Sequence, residues 1–419
     1  GLVIVDEEHE NTYKQYDPAP RYQARNSAIV LASMTQAKVL LGSATPSIET
    51  YYNATTGGKY GLVELNKRFG DIEMPDIQVV NMKEQWAHKT AVGSFSKPLI
   101  DDMQNAFRRG EQVILFQNRR GFSPYLECKS CTFVPHCIYC DVSLTYHKIT
   151  NELTCHYCGY TMPVPMFCPA CQNPSLMNIG IGTEKIEEEV KQIFPDKKVA
   201  RLDLDVARSR KSYEKILKDF EQGKIDILVG TQMISKGLDF ARVRLVGILR
   251  ADGMLHYPDF RAHERAFQLM AQVSGRAGRK GPRGRVVLQT SDPEHTVISQ
   301  VKTNAYRSMY MSQVTERSQF MYPPFSRLIN LSVKGRDEKK TEQAAFLLAQ
   351  NLRIIFGQRV YGPDVPTVTR IQSLHIRKIM LKLELSINLN EAKNKIMETI
   401  NLLLVQNKGI TISTDVDPA

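Results

Sequence analysis

The chain has 419 residues, 42% of them hydrophobic, and a formal net charge of +11 from 55 lysines and arginines against 44 acids. This length implies two to four domains with ordinary cores, and the basic balance points to polyanionic partners, nucleic acid first. No apolar run approaches the roughly 18 residues of a membrane span and residues 1–5 lack a signal-peptide pattern, so the expectation is a cytoplasmic, nucleoid-associated protein with no membrane partner.

In chain order, Leu2-Val3-Ile4-Val5 runs directly into Asp6-Glu7-Glu8-His9. Short apolar runs read as buried parallel strands, and acids at a strand's carboxyl end lie where open α/β sheets bind ligands. A helical stretch over 28–34 leads to a second strand at 39–41, which ends in Gly42-Ser43-Ala44-Thr45. The Pro/Gly/Asp-rich stretch 57–98 reads as a linker. Another apolar strand, 113–116, is followed by Asn118-Arg119-Arg120-Gly121. Beyond the cysteine-rich block, helices are expected at 185–194, 212–222 and 263–273, and strands at 225–229, 245–249 and 285–288. Alternating strands and helices imply a parallel sheet covered on both faces, so the cysteine block is an insertion into a second α/β domain. From about 300 the texture changes. Ile379, Leu381, Leu383, Leu385 and Ile387 alternate with Met380, Lys382, Glu384 and Ser386 as in a half-buried strand. Helices at 338–355 and 390–404 and strands at 327–333 and 409–413 complete a compact α+β domain.

All eight cysteines fall in four C-x-x-C pairs: Cys128/Cys131, Cys137/Cys140, Cys155/Cys158 and Cys168/Cys171. Such a turn aims two thiolates at one point, and two turns supply one closed tetrahedral zinc site. Four turns predict two structural zincs. Disulfides and iron are the competing uses; the absence of cysteine elsewhere weighs against disulfides. Spacing leaves open whether the pairs combine in sequential or nested order.

The strand-end acids suit nucleotide chemistry, Asp6 to hold Mg²⁺ and Glu7 to orient the attacking water. A solvated acidic turn is the plain alternative. Gly230-Thr231-Gln232-Met233-Ile234-Ser235-Lys236-Gly237-Leu238-Asp239 follows a strand, and Gln272-Val273-Ser274-Gly275-Arg276-Ala277-Gly278-Arg279 ends a helix with two arginines three apart, suited to a triphosphate. After the acids, Tyr13, Tyr16 and Tyr22 alternate with Lys14, Arg21 and Arg25, a pattern that stacks on bases and meets phosphates.

The stretches Asp6–His9, Gly42–Thr45, Gly230–Phe240 and Gln272–Arg279 resemble motifs II, III, V and VI of the superfamily 2 helicases. With four C-x-x-C pairs ahead of "GIGTEKIEEEV" and a terminal "DVDP", the chain is most similar to the primosomal replication-restart helicases within them. The resemblance implies two RecA-like parallel-sheet lobes, an inserted two-zinc module and a C-terminal α+β domain. The expected bounds are 1–95 for the end of lobe one plus linker, 96–127 and 175–297 for lobe two, 128–174 for the zinc insertion and 298–419 for the last domain. It implies an ATP-dependent 3′→5′ DNA helicase of replication restart and primosome assembly. Catalysis would rest on Asp6, Glu7, Gln272, Arg276 and Arg279, with Gly237 and Asp239 at the nucleotide. DNA contacts would fall to Tyr13, Lys14, Tyr16, Tyr22, Thr231 and Lys236. It also implies nested metal pairing, Cys128/131/168/171 and Cys137/140/155/158. Forked and single-stranded DNA, single-stranded DNA-binding protein and primosome proteins are the implied partners of a monomer. Arg250 departs from the family, where an acidic or neutral residue is more usual. Arg370, His375, Arg377 and Lys378 make a basic approach to the strand at 379. No G-x-x-x-x-G-K-[ST] phosphate loop occurs, so the expectation is that this loop precedes Gly1 in a longer protein and that the chain alone hydrolyses ATP negligibly. Rival readings are another zinc-bearing superfamily 2 helicase, which would carry four cysteines, and a non-catalytic zinc scaffold that binds DNA or partners.

Overall fold

A computed structural model describes the chain except residues 17, 68–71, 119–124, 139–142, 148–150, 156–158, 175, 179–182, 203–209, 235–239, 280–281, 367–368, 372–373 and 419. The chain forms two compact units. One comprises residues 1–62, 135–164 and 311–419, and the other residues 63–134 and 165–310.

The second unit is built on six parallel strands in the order Val199–Leu202, Ile227–Gly230, Gln112–Gln117, Val243–Leu249, Arg285–Thr290 and Asp76–Asn81. Its central strands are apolar on both sides because both faces are covered. Val113 and Leu115 pack beneath Leu99, Met103 and Ala106 of the helix Lys97–Arg108 and beneath Ile186 and Val190 of Thr183–Ile193. Ile114, Phe116, Val246 and Ile248 alternate to the opposite face and are equally inaccessible. Ser96 caps the helix Lys97–Arg108 by accepting a hydrogen bond from the Leu99 amide, and Pro98 occupies its first turn.

One correction concerns the stretch read as a linker. Asp76–Asn81 is an edge strand paired parallel with Arg285–Thr290, from Asp76 opposite Arg285 to Thr290 opposite Asn81. The Arg285 guanidinium ties the pair together through Asp76, Gln78 and Asp102. Six residues between turn formers carry little periodicity, and their partner lies about two hundred positions away, which local patterning does not reveal.

In the first unit, Leu2–Val5 pairs parallel with Lys38–Leu41, Val5 opposite Leu41, so both motif-bearing strand ends emerge side by side. The helix Ala24–Met34 crosses between them. The C-terminal sheet is antiparallel, ordered Val360–Asp364, Leu374–Glu384, Ser326–Gly335 and Ile410–Val416. Helices Glu338–Phe356 and Leu389–Gln406 bury Ala345, Leu348, Leu352, Ile396 and Ile400 against Leu331, Val333, Ile379 and Leu381. Asp337 and Asn388 cap these helices, and Gly357, at φ 61°, ends the first. The expected C-terminal elements are present, joined by the additional strand Val360–Asp364.

The cysteine block is divided. Residues 135–164, with the three-stranded sheet Thr145–His147, Glu152–Thr154 and Thr161–Pro163, belong to the first unit, and their flanks belong to the second. There Leu126–Cys128 pairs with Leu176–Asn178.

Leu348 lies at the centre of the C-terminal core with no exposed surface. Leu348→Ala is expected to cost about 3 kcal/mol, read as a lowered denaturant midpoint for the transition that unfolds the Leu374–Glu384 strand.

Candidate metal centre and active-site motifs

The Sγ atoms of Cys128, Cys131, Cys168 and Cys171 lie within 4.8 Å of one another. Cys128 is 3.6 Å from Cys171 and Cys131 is 3.5 Å from Cys168. A tetrahedral zinc with Zn–S near 2.3 Å requires sulfur–sulfur edges of about 3.8 Å, so this donor set fits the ion. Sequential pairing would set Cys137 and Cys140 beside Cys128, whereas Cys168 and Cys171 stand there. Burial first, then the neighbouring thiols, pushes Cys131 up to about 12, so a cation must displace protons to bind.

Local backbone explains the convergence. The Cys128 amide donates to Phe133 O, Thr132 donates back to Cys128 O, and Thr132 adopts φ 61°. Cys168 repeats the turn with Asn173 and Gln172, the latter at φ 58°. A third copy surrounds Cys155, with Tyr160 O as acceptor and Gly159 at φ 77°. The turns at Cys128 and Cys168 bring their cysteines to one focus, and all three turns leave the fourth residue after the first cysteine in left-handed backbone. Cys137 and Cys155 are buried, and Cys140 and Cys158 lie outside the described residues.

At the first unit's strand ends, Asp6 Oδ1 accepts a hydrogen bond from the Glu7 amide at 2.9 Å, and Glu7 adopts φ 48°. His9 Nδ1 is 2.7 Å from Ser43 Oγ, which joins the two strand-end motifs. The residue that patterning missed is Glu8. Its buried carboxylate accepts from the Ser47 amide at 2.6 Å, Thr50 Oγ1 at 2.8 Å and Arg25 at 2.7 Å. Ser47 also caps the helix Ile48–Ala54. A serine three residues ahead of a hydroxyl, just before that helix, was the available signal.

In the loop 10–25, two of the cations expected to meet phosphates are engaged within the protein, Arg25 on Glu8 and Lys14 in the last strand. Tyr16 and Tyr22 are exposed, at 52% and 47%, as base stacking would need. Lys14 instead is buried, with Nζ 2.7 Å from Asp415 Oδ1 and donating to Val416 O and Arg21 O. Its own burial, two carbonyl acceptors and the Asp415 carboxylate fix it inward, away from any phosphate. Tyr13 donates its hydroxyl to Asp6 O at 2.7 Å. The basic approach in the last domain is likewise partly consumed: Arg377 is buried and pairs with Glu338 at 3.0 Å, which lowers that carboxyl below its ordinary value.

In the second unit, Arg276 and Arg279 do not continue the helix expected to carry them. The helix ends at Ser274, and both arginines sit on a turn made by Gly275 and by Gly278 at φ 68°. A Cβ on Gly278 would stand 2.3 Å from the Gly284 amide, and one on Gly284 2.4 Å from Ala277 carbonyl carbon, so these segments touch backbone to backbone. Arg276 is buried, Arg279 donates to Gly275 O at 3.1 Å, and Gln272 is half-buried. Thr231 is buried at the end of its strand, while Arg119, Arg120, Lys236, Gly237 and Asp239 lie outside the described residues. Arg250 stands at φ 54° beside two buried acids, Glu127 and Asp252. Asp252 accepts from Thr290 Oγ1 at 2.7 Å and the Ser291 amide at 3.0 Å. Burial, and next the Asp252 charge, raise Glu127 to about 8, with Arg250 opposing.

Three family descriptions match the chain: "PriA DNA helicase Cys-rich region (CRR) domain" over residues 137–163, "Helicase conserved C-terminal domain" over 170–281 and "Primosomal protein N C-terminal domain" over 318–419. The replication restart protein PriA of Bacillus subtilis is 39% identical across the whole chain, which covers 52% of that protein. The Treponema pallidum protein of the same name is 36% identical, again across the whole chain, with 62% of its length covered. That of Synechocystis is 37% identical over 91% of the chain and 47% of its own length. The chain thus spans about half the length of the curated relatives it matches.

Two measurements check the site. Cys168→Ser is expected to remove about one equivalent of zinc, read by atomic absorption, while the Cys128, Cys131 and Cys171 thiols become titratable without denaturant. Between pH 4.5, the ordinary value for Glu127, and about 8, the folded chain keeps a proton that the unfolded chain releases, so stability falls as pH rises through that window. Glu127→Gln removes this slope, and its stability difference from the parent chain should grow from pH 5 toward pH 8 in equilibrium denaturation.

Proposed function

The chain belongs to the PriA family of superfamily 2 helicases, and we propose that, with the rest of the protein, it makes an ATP-dependent 3′→5′ DNA helicase of replication restart and primosome assembly. One observation carries the reading. Two parallel strands end together in Asp6–His9 and Gly42–Thr45, and His9 bonds Ser43 across them at 2.7 Å. That pairing gives the acidic motif a direct link to its neighbour, which a helicase needs to pass the state of a nucleotide to its DNA contacts.

In this reading Asp6 holds Mg²⁺ and Glu7 orients water, while Gln272, Arg276 and Arg279 approach the γ-phosphate, with Gly237 and Asp239 alongside. Bound Mg²⁺ neutralises charge developing on the phosphate oxygens. Tyr16 and Tyr22 stack on bases, Tyr13 steadies the loop, and Thr231 and Lys236 meet the DNA backbone. Cys128, Cys131, Cys168 and Cys171 hold one structural zinc. Cys137, Cys140, Cys155 and Cys158 hold a second, supported by the shared turn at Cys155. The protein acts as a monomer at the nucleoid on branched and single-stranded DNA, with single-stranded DNA-binding protein and primosome proteins as partners.

The test joins this chain to an upstream region bearing G-x-x-x-x-G-K-[ST] and measures DNA-stimulated ATP hydrolysis. Asp6→Asn and Glu7→Gln should each lower kcat at least ~10²-fold, and Arg276→Ala by ~10³-fold or more. The chain without that region should turn over negligibly. Full turnover in Arg276→Ala, or turnover in the chain alone near that of the joined protein, overturns the reading.

A further inference from the structure

The terminal Asp415-Val416-Asp417-Pro418 stretch marks the family resemblance but is given no role in the helicase reading, yet its strand reaches the loop beside the acidic motif. Asp415 pairs across the sheet with Asn330 in register, and its carboxylate is 2.7 Å from Lys14 Nζ. The same ammonium donates to Val416 O at 2.9 Å and to Arg21 O at 3.1 Å. The Lys14 side chain is 1% exposed and that of Asp415 20%, so the pair is largely withdrawn from water. One residue back, Tyr13 donates to the main-chain carbonyl of Asp6 at 2.7 Å. We propose that Asp415 is a positioning residue for the strand-end acids: through Lys14 it holds the loop from which Tyr13 fixes Asp6.

Loop 10–25 contains exposed tyrosines and two prolines in an exposed stretch, and such segments open locally at small cost when nothing retains them. A buried ammonium retains them strongly, because removing its carboxylate leaves an uncompensated charge. The loop is also stitched to itself, with the Gln15 amide on Tyr22 O and a bridge between Lys14 and Gln23, so restraint at Lys14 spreads through it. What it restrains is under tension: Glu7 is held at φ 48°, a conformation that persists only when its surroundings impose it. The last strand therefore sets the geometry of the first.

The role assigned to Asp6 rests on the helicase reading; the latch itself does not, and two experiments separate them. In hydrogen exchange of this chain, Lys14→Met should speed exchange in residues 6–16 about tenfold or more. The strands Ser326–Gly335 and Leu374–Glu384 should stay unchanged, and Asp415→Glu should retain most of the protection. Unchanged exchange at residues 6–16 in Lys14→Met overturns the proposal, as does loss of protection spread over the C-terminal sheet, which would make Lys14 a prop for that sheet. In the joined protein, Asp415→Asn should raise the Mg²⁺ concentration needed for half-maximal ATP hydrolysis several-fold, with kcat at saturating Mg²⁺ much less affected. A fall in kcat alone would overturn the link to Asp6. Absence of any DNA-stimulated hydrolysis in the unmutated joined protein would strike the helicase reading and leave the exchange result to judge the latch.

Discussion

A carboxylate buried among donors organises the acidic end of the first unit. Glu8 gathers the Ser47 amide and Thr50 from the capped helix Ile48–Ala54 and Arg25 from the helix Ala24–Met34. Ser47 starts a helix, and Arg25 lies near the start of another. A charge so enclosed must be satisfied on all sides, and removing one partner costs several times what a surface pair would. Asp6 and Glu7 can face outward because Glu8 faces inward.

The metal centre obeys the same logic with weaker local bonds and a stronger common focus. Each turn around Cys128, Cys155 and Cys168 spends its backbone hydrogen bonds on itself, and one described residue in each enters left-handed space. Thr132 and Gln172 accept that strain, and Gly159 takes it at no steric cost. Gly159 has a further reason to lack a side chain, since a Cβ there would meet the Asp364 carboxylate at 2.2 Å. The turn at Cys155 is thereby seated directly on the strand Val360–Asp364.

What could be read from the chain alone divides by range. Cysteine spacing marked the four pairs because C-x-x-C is a local geometry, while the grouping of Cys128, Cys131, Cys168 and Cys171 came from the family resemblance. The apolar strand 113–116 was legible because burial on both faces leaves no alternation to mistake. Lys14 was misjudged because its partner lies some four hundred residues on, and a lysine among tyrosines looks alike whether it meets a phosphate or a carboxylate. Asp76–Asn81 was hidden for the same reason: its identity as a strand resides in Arg285–Thr290. The arginines were placed on a helix face by spacing, while Gly275 and Gly278 ended that helix first. Glu8 was passed over because three adjacent acids carry no pattern that marks the inward one.

The division of the cysteine block has a topological outcome. The chain passes from one compact unit to the other at residues 62–63, 134–135, 164–165 and 310–311. Cutting any one of these leaves both bodies tethered, so neither can be excised as a contiguous piece. When residues 135–164 melt, both of their ends stay anchored in the other unit, and the entropy gained is that of a closed loop rather than of a free tail. A fragment ending at residue 134 would therefore separate Asp76–Asn81 and Gln112–Gln117 from the other four strands of the six-stranded sheet.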